Sequence, residues 1–351
     1  MIDINVFSLE GNVISVKPYG EGHINRTYDV RTDRGKEYIL QRINTSVFPD
    51  VDGLMRNISL VTAHLRKKSD SEREVMELIK TKDGRNWAEG DDGFYRVYTF
   101  VKDTVCLQSI AKPEYFYESA LAFGGFSESL SDFDASLLVE VIPDFHNTPK
   151  RYRDFRKAIR EDAFSREKSV QREIDFILGR EEEMSSLQRM REEGILPLRV
   201  THNDTKLNNV LFDRTTMKAV CVIDLDTVMP GLSLYDYGDS IRFGASTATE
   251  DERDLSKVSL SIPLYDTYTE GYRKACPSLT KEEVESLPLG AKTMTLECGM
   301  RFLTDYLEGD HYFSTTRENQ NLDRARTQLK LVADMETKWE RMMESVRKGF
   351  Q

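Results

Sequence analysis

The residues of this chain whose types and spacing suit chemistry concentrate between Arg199 and Gly244. Thr201-His-Asn-Asp-Thr-Lys-Leu-Asn-Asn209 leads into two short apolar runs, Val210–Phe212 and Ala219–Ile223, joined by the polar turn Asp213–Lys218. The second run ends on Asp224-Leu-Asp226. A hairpin brings its two outer ends together, so Asn209 and Asp224 are expected to be neighbours in space. Asp204 stands five residues before Asn209, within reach of a single loop. Hard oxygen donors, with no cysteine and little histidine among them, suit Mg²⁺ and phosphate chemistry better than zinc.

The spacing H-x-D-x-x-x-x-N, followed by an Asp at the end of the next strand, is also the pattern of phosphoryl-transfer sites. His202, Asp204, Asn209 and Asp224 fill it. Asp204 would accept or orient the proton of an attacking hydroxyl. Asn209 and Asp224 would hold Mg²⁺ against triphosphate oxygens, and Lys206 would reach the γ-phosphate as a point charge. His202 is expected to brace the loop by hydrogen bonding.

A nucleotide site needs an upstream half, and Tyr19-Gly-Glu-Gly-His-Ile-Asn-Arg-Thr-Tyr28 offers one between two strand candidates. Gly20 and Gly22 would let the backbone approach phosphates without a Cβ in the way, with Asn25 beside them. Taken alone, the same glycines read as a plain hairpin turn.

The elements that must position these residues are legible from patterning. Asn12–Val16, Thr27–Thr32, Tyr38–Ile43 and Phe94–Val101 carry β-branched or aromatic runs, with turn signals at Asp83-Gly84 and Asp91-Asp92-Gly93. Val51, Leu54, Met55, Ile58, Val61 and Leu65 keep a helical period within Pro49–Lys67. Residues 1 to about 100 are therefore expected to form a small sheet with one helix, a nucleotide-binding lobe, and 101–351 a larger helical lobe carrying the catalytic hairpin and the substrate site. Val170, Ile174, Ile177, Met184 and Leu187 form an apolar stripe through the charge-dense stretch 150–193. The tail from Arg324 reads as one closing helix through Leu329, Val332, Met335, Trp339, Met342 and Val346.

Composition narrows the function classes. The 351 residues hold 49 Lys plus Arg against 60 Asp plus Glu, a net charge of −11, with 39% hydrophobic residues. This acidity argues against a general nucleic-acid or anionic-membrane binder. No apolar run approaches the ~18–20 residues of a membrane span, and the N-terminus lacks the pattern of a secretory signal, so a cytoplasmic location is expected. Cys106, Cys221, Cys276 and Cys298 are scattered and read as incidental thiols rather than a disulfide or zinc framework.

Taken together these stretches resemble the aminoglycoside phosphotransferase-like kinase family, a relative of the protein-kinase fold. Tyr19–Asn25, Tyr38–Asn44, Thr201–Lys206, Asp224–Gly244 and Arg301–Phe313 are similar to the branch that phosphorylates N-acetylated hexosamines. The resemblance implies a two-lobed α+β kinase-like fold and phosphorylation of an N-acetylhexosamine at its anomeric hydroxyl, with ATP and Mg²⁺. It also implies that His23, Asp226, Arg301 and Tyr312 line the sugar pocket or touch the transferring phosphate. From the residues alone, Asp226 reads equally as a capping acid, Arg301 as half of a surface ion pair, and Tyr312 as a core aromatic. In a kinase-like fold Phe100 and Val101 fall on the connector whose backbone pairs with adenine. Small-molecule kinases for another sugar, homoserine or an amino alcohol are the nearest alternatives.

The departure from the kinase pattern is specific. Gln41 stands where the strand lysine belongs, and Pro49–Lys67 contains no Glu. Either Arg42 reaches round to the phosphates, or hydrogen bonds from Gln41 suffice with Mg²⁺ and Lys206 balancing charge. A nucleotide-binding regulator without turnover stays open on this ground, although Asp204, Asn209 and Asp224 are all intact.

Overall fold

A computed structural model describes residues 2–20 and 24–348 of the chain, which divides into two compact units. The first gathers Met1–Cys106, Asp132–Pro143 and Asn209–Pro230; the second gathers Leu107–Ser131, Asp144–Asn208 and Gly231–Gln351. The architecture is α+β: an antiparallel-sheet unit with one long helix, and a helical unit.

In the first unit, strands β1 (Val13–Pro18), β2 (Arg26–Thr32) and β3 (Glu37–Arg42) precede helix α1 (Val51–Arg66). Strands β4 (Leu78–Ile79), β5 (Ala88–Gly90), β6 (Gly93–Thr99) and β7 (Thr104–Cys106) follow. The sheet order is β1-β2-β3-β6-β4, antiparallel throughout, with β5 also on β6. Alternation sends Val30, Leu40, Tyr95 and Val97 into one apolar core with Phe7 and Tyr38. Helix α1 starts where Asp50 accepts the Gly53 N–H at 2.9 Å, and its stripe of Leu54, Met55, Ile58 and Val61 is buried. Asn57, fully buried on α1, donates to the Val139 and Val228 carbonyls and accepts the Val139 N–H. That side chain ties the segment following Asp226 to the helix. The hairpin strands Val210–Asp213 and Ala219–Val222 pair with each other and extend to β7.

The second unit contains α2 (Pro113–Ser129), α3 (Thr148–Glu161), α4 (Gln171–Leu178), α5 (Glu181–Glu192), α6 (Ser233–Gly244), α7 (Ile262–Ala275) and α8 (Lys281–Leu307). Helices α9 (Gln320–Thr337) and α10 (Trp339–Arg347) close it. The tail is thus two helices broken at Lys338, not one. The stripe Val170, Ile174, Ile177 and Met184 is buried against α8 and α9 residues such as Leu303 and Val332. Helix α6 lies against α8 at glycine-to-glycine distance: a Cβ on Gly238 would come within 2.5 Å of the Gly290 carbonyl oxygen. This close seat fixes α6, which carries the acids described next. Among the described residues no helix is long and apolar enough to cross a membrane, and all four cysteines are free thiols.

Candidate active site

The site candidates fall into both units. In the second, the strand Arg199–Thr201 is anchored by Arg199, whose Nε and Nη2 each lie 2.6 Å from the buried Glu283 carboxylate. Glu283 also accepts the Ser233 hydroxyl, so one acid fixes the start of the catalytic stretch and the start of α6. The turn that follows is clamped to α6 atom by atom. Asp236 accepts the His202 N–H at 2.8 Å and the Asn203 N–H at 2.7 Å. Asp239 accepts the Thr205 N–H, the Asp236 carbonyl accepts the Thr205 hydroxyl, and Ser240 donates to the Thr205 carbonyl. His202 is buried edge-on to Phe123 and Phe126, and its Nδ1 accepts the Asp204 N–H at 3.3 Å. The Asp204 side chain remains partly open at 28% exposure, 2.7 Å from the Lys206 ammonium. Asp204, and behind it Asp239, hold that ammonium above its ordinary value against burial.

Two α6 acids titrate in opposite directions. Burial raises the Asp239 pKa, but Arg242 and then Lys206 outweigh it and hold the carboxyl below its usual range. Arg242 places Nε and Nη2 at 3.1 and 2.8 Å from Asp239 and Nη1 at 2.8 Å from Glu250. Burial pushes Asp236 up to about 6, outweighing the neighbouring His202 and the two backbone N–H groups it accepts. A carboxyl raised in the folded state binds its proton more tightly there than in the unfolded chain. Its contribution to stability is therefore full below pH ~4 and is lost as pH rises through about 6, a change of order ~3 kcal/mol for two pKa units. Urea unfolding of the wild type and Asp236→Asn across pH 4–8 should show their stability difference shifting against the wild type up to about pH 6, then levelling.

In the first unit, the Ile223 N–H donates to the Asn209 carbonyl at 2.9 Å, so the hairpin's outer ends meet. Asp224 follows in left-handed backbone geometry (φ 61°) with an exposed side chain. Asn209 and Asp224 offer an amide oxygen and a carboxylate, hard donors that fit Mg²⁺ with most of its shell left to water and phosphate oxygens. Among the described residues no three His, Cys, Asp or Glu side chains gather closely enough to cage a metal. Two residues on, Asp226 is buried: its Oδ2 accepts Asn25 Nδ2 at 2.6 Å, and its Oδ1 lies 2.5 Å from Arg96 Nη1. Asn25 in turn accepts the Asn44 N–H. Burial would lower the pKa of the Arg96 guanidinium, but Asp226 and, further off, Asp224 hold it above its ordinary value.

Gln41 is fully engaged within the protein. Its Oε1 accepts Arg96 Nε and Nη2, and its Nε2 donates to Thr27. Arg42 turns the other way, its Nε 3.8 Å from Asp92. Gly20 has a left-handed φ of 74° and open space where a Cβ would stand. Gly22 and His23 lie outside the described residues. Phe100 meets Tyr19 edge-on at 5.8 Å; its N–H donates to the Glu37 carbonyl, and the Val101 carbonyl accepts the Thr104 hydroxyl.

Arg301 and Tyr312 share a cavity of about 250 Å³ in the second unit, with Arg151, Thr304 and Phe313 also lining it. Arg301 makes no ion pair among the described residues. Its guanidinium lies instead 5.2–5.9 Å from the rings of Phe145, Tyr312 and Phe313. Tyr312 is 63% exposed, not a core aromatic. Its loop is pinned because the buried Asp305 accepts the His311, Tyr312 and Phe313 N–H groups. Burial and the neighbouring Arg301 charge lower the Arg151 pKa, while Asp154, Asp305 and Glu308 on the same lining set acids beside the cations Arg151, Lys157 and Arg301. A larger depression of about 660 Å³ beside Lys168, Arg172 and Arg326 contains none of the sequence candidates.

Arg96, Asp236, Asp239 and Arg242 were missed by sequence reasoning. The available signals were a lone cation inside the run Phe94-Tyr-Arg-Val-Tyr-Thr-Phe-Val101, and three charges on a helix otherwise rich in core residues. Buried charges are rare unless partnered, so each implied a specific counter-group.

The profile of the phosphotransferase enzyme family matches residues 15–272. An aminoglycoside phosphotransferase from Alicyclobacillus acidocaldarius is similar in structure (TM-score 0.62, 13% identity, covering 96% of this chain and 92% of that one). A microcompartment-associated aminopropanol kinase aligns with TM-score 0.58 and 17% identity over 97% of this chain and 96% of its own. A choline kinase from Streptococcus pneumoniae aligns with TM-score 0.52 and 13% identity over 92% and 94%. At these identities the structural likeness establishes the kinase-like fold.

Proposed function

Because the chain belongs to the phosphotransferase enzyme family, we propose that it is an ATP- and Mg²⁺-dependent small-molecule kinase acting on the anomeric C1 hydroxyl of N-acetylhexosamines such as N-acetylglucosamine and N-acetylgalactosamine. The observation that carries the kinase reading is Asp204, held by backbone clamps to α6 while its own carboxylate stays accessible beside Lys206. In this reading the acceptor oxygen attacks the γ-phosphorus, the bond from that phosphorus to the β–γ bridging oxygen breaks, and ADP leaves. Asp204 orients the hydroxyl and takes its proton late, which suits an anomeric hydroxyl because it is more acidic than other sugar hydroxyls. Lys206 faces the transferring phosphoryl group as a fixed charge. Asn209 and Asp224 would hold Mg²⁺, whose charge would offset that developing on the phosphate oxygens.

The acceptor class rests on the resemblance at Asp224–Gly244 and Arg301–Phe313 and is supported by the cavity under Arg301 and Tyr312. An exposed tyrosine face, a guanidinium and an aromatic floor suit a neutral polyhydroxyl ring with a carbonyl substituent.

A coupled ADP-release assay with Mg-ATP and a panel of sugars and amino alcohols tests both levels, with phosphorus NMR locating the phosphate. Turnover of an N-acetylhexosamine with phosphate on C1 is the expected result. Activity confined to another acceptor keeps the kinase and discards the hexosamine. Failure of the wild type to bind or hydrolyse Mg-ATP discards the kinase.

A further inference from the structure

A kinase-like nucleotide site needs a cation on the sheet side, ordinarily a strand lysine held by a helix glutamate. Strand β3 has Gln41 at that place and α1 has no Glu. The register pairs Gln41 on β3 directly with Arg96 on β6. Arg96 reaches across the ladder: Nε and Nη2 lie 3.0 and 2.8 Å from Gln41 Oε1, and Nη1 lies 2.5 Å from Asp226 Oδ1. The two charged side chains are 1% and 4% exposed.

Arg96 points to the face of β6 opposite Tyr95 and Val97, where its Nη1 also lies 4.0 Å from the Met55 sulfur of α1, a buried residue that by itself asks for no charge. A buried ion pair is often no more stabilising than apolar groups of the same volume, so its presence needs another reason. The surroundings supply one. Asp226 lies two residues after Asp224 in the same turn, and Asn25, next to the glycine-containing segment, holds its other oxygen. Tyr98 follows Arg96 on the same strand face, its ring 5.2 Å from the guanidinium; its buried hydroxyl has no hydrogen-bond partner among the described residues.

We propose that the Arg96–Asp226 pair stands in for the strand-lysine and helix-glutamate pair, the cation moved one strand across the sheet and its counter-acid moved into the metal-binding turn. Arg96 is then a positioning residue. It acts through Asp226 to hold Asp224 in place for Mg²⁺, and through Gln41 to keep β3 in register with β6. This inference rests on the kinase reading above.

The test is Mg²⁺ dependence of ATP binding, measured by calorimetry without acceptor, together with thermal melting. Arg96→Lys keeps the charge but cannot hold Gln41 and Asp226 at once; it should fold and need at least about ten-fold more Mg²⁺ for half-maximal ATP binding, a loss of ~1.4 kcal/mol. The double variant Arg96→Met with Asp226→Asn removes both buried charges; it should melt near the wild type yet show the same or larger Mg²⁺ deficit. Wild-type Mg²⁺ dependence in either folded variant would overturn the inference and reduce the pair to a structural contact. Absence of Mg-ATP binding by the wild type would instead strike the kinase reading itself.

Discussion

Asp204→Asn is expected to lower kcat on the true acceptor by about 10²–10⁴-fold, the range associated with loss of a positioned general base. Mg-ATP affinity should stay close to the wild type, because the groups proposed to hold nucleotide and metal, Asn209 and Asp224, are untouched. The melting temperature should barely move. The side chain is partly exposed, and an exposed ion pair such as the one it makes with Lys206 contributes only ~0–1 kcal/mol. The loop itself is fixed by Asp236, Asp239 and Ser240 acting on backbone groups of residues 202, 203 and 205, none of which involves the Asp204 carboxylate. Lys206 should also stay charged, since Asp239 continues to favour its ammonium form. Stopped turnover with intact ATP binding and intact melting would separate chemistry from architecture. A variant that retained most of its turnover would remove Asp204 from the mechanism, and with it the observation on which the kinase reading leans.

Much of this organisation was legible in the sequence, and the losses follow a physical rule. Local patterning located β1, β2, β3, β6 and α1 to within a few residues, because period-2 and period-3.6 apolar spacing is what each element buries. Hairpin geometry placed Asn209 beside Asp224, since it depends only on two adjacent strands, and the bond between Asn209 and Ile223 joins the hairpin one residue short of that pair. Long-range register was not legible. That Arg96 faces Gln41, 55 positions away in sequence, follows from how β6 pairs with β3, and a shift of one residue would have sent the side chain to the opposite face. Reading the kinase pattern along one strand therefore found a missing lysine where the folded sheet holds an arginine. The acids of α6 show the same limit. Asp224–Gly244 stood out as a block, but the attachment of Asp236 and Asp239 to a turn more than thirty residues upstream is a tertiary fact. The break at Lys338 escaped because the apolar spacing runs on across it, so periodicity alone joins α9 to α10.

The largest effect on stability is expected at Arg242, on α6. Arg242→Met should destabilise the protein by about 3–5 kcal/mol, because it leaves the buried Asp239 carboxylate facing an apolar side chain. For a unit of this size that is a fall in melting temperature of roughly 10 °C or more. The loss should depend on pH with a definite sign. In the wild type Asp239 is held below its usual range, so its contribution is present above the ordinary carboxylate pKa and is lost as the pH falls. Without Arg242 burial dominates, the carboxyl prefers to be protonated, and the variant gains stability as pH falls. The gap between variant and wild type should therefore be widest near pH 8 and narrow towards pH 5. Adding Asp239→Asn removes the stranded charge and keeps an oxygen for the Thr205 N–H, so the double variant should recover most of the melting temperature at neutral pH. Catalysis should recover less, because Lys206 loses the second carboxylate that favours its charged form. Thermal melts of the three proteins at pH 5, 6.5 and 8, with kcat at each, decide the matter. A pH-independent deficit in Arg242→Met would show lost packing rather than a stranded charge. Full recovery of kcat in the double variant would show that Asp239 holds the loop by shape alone.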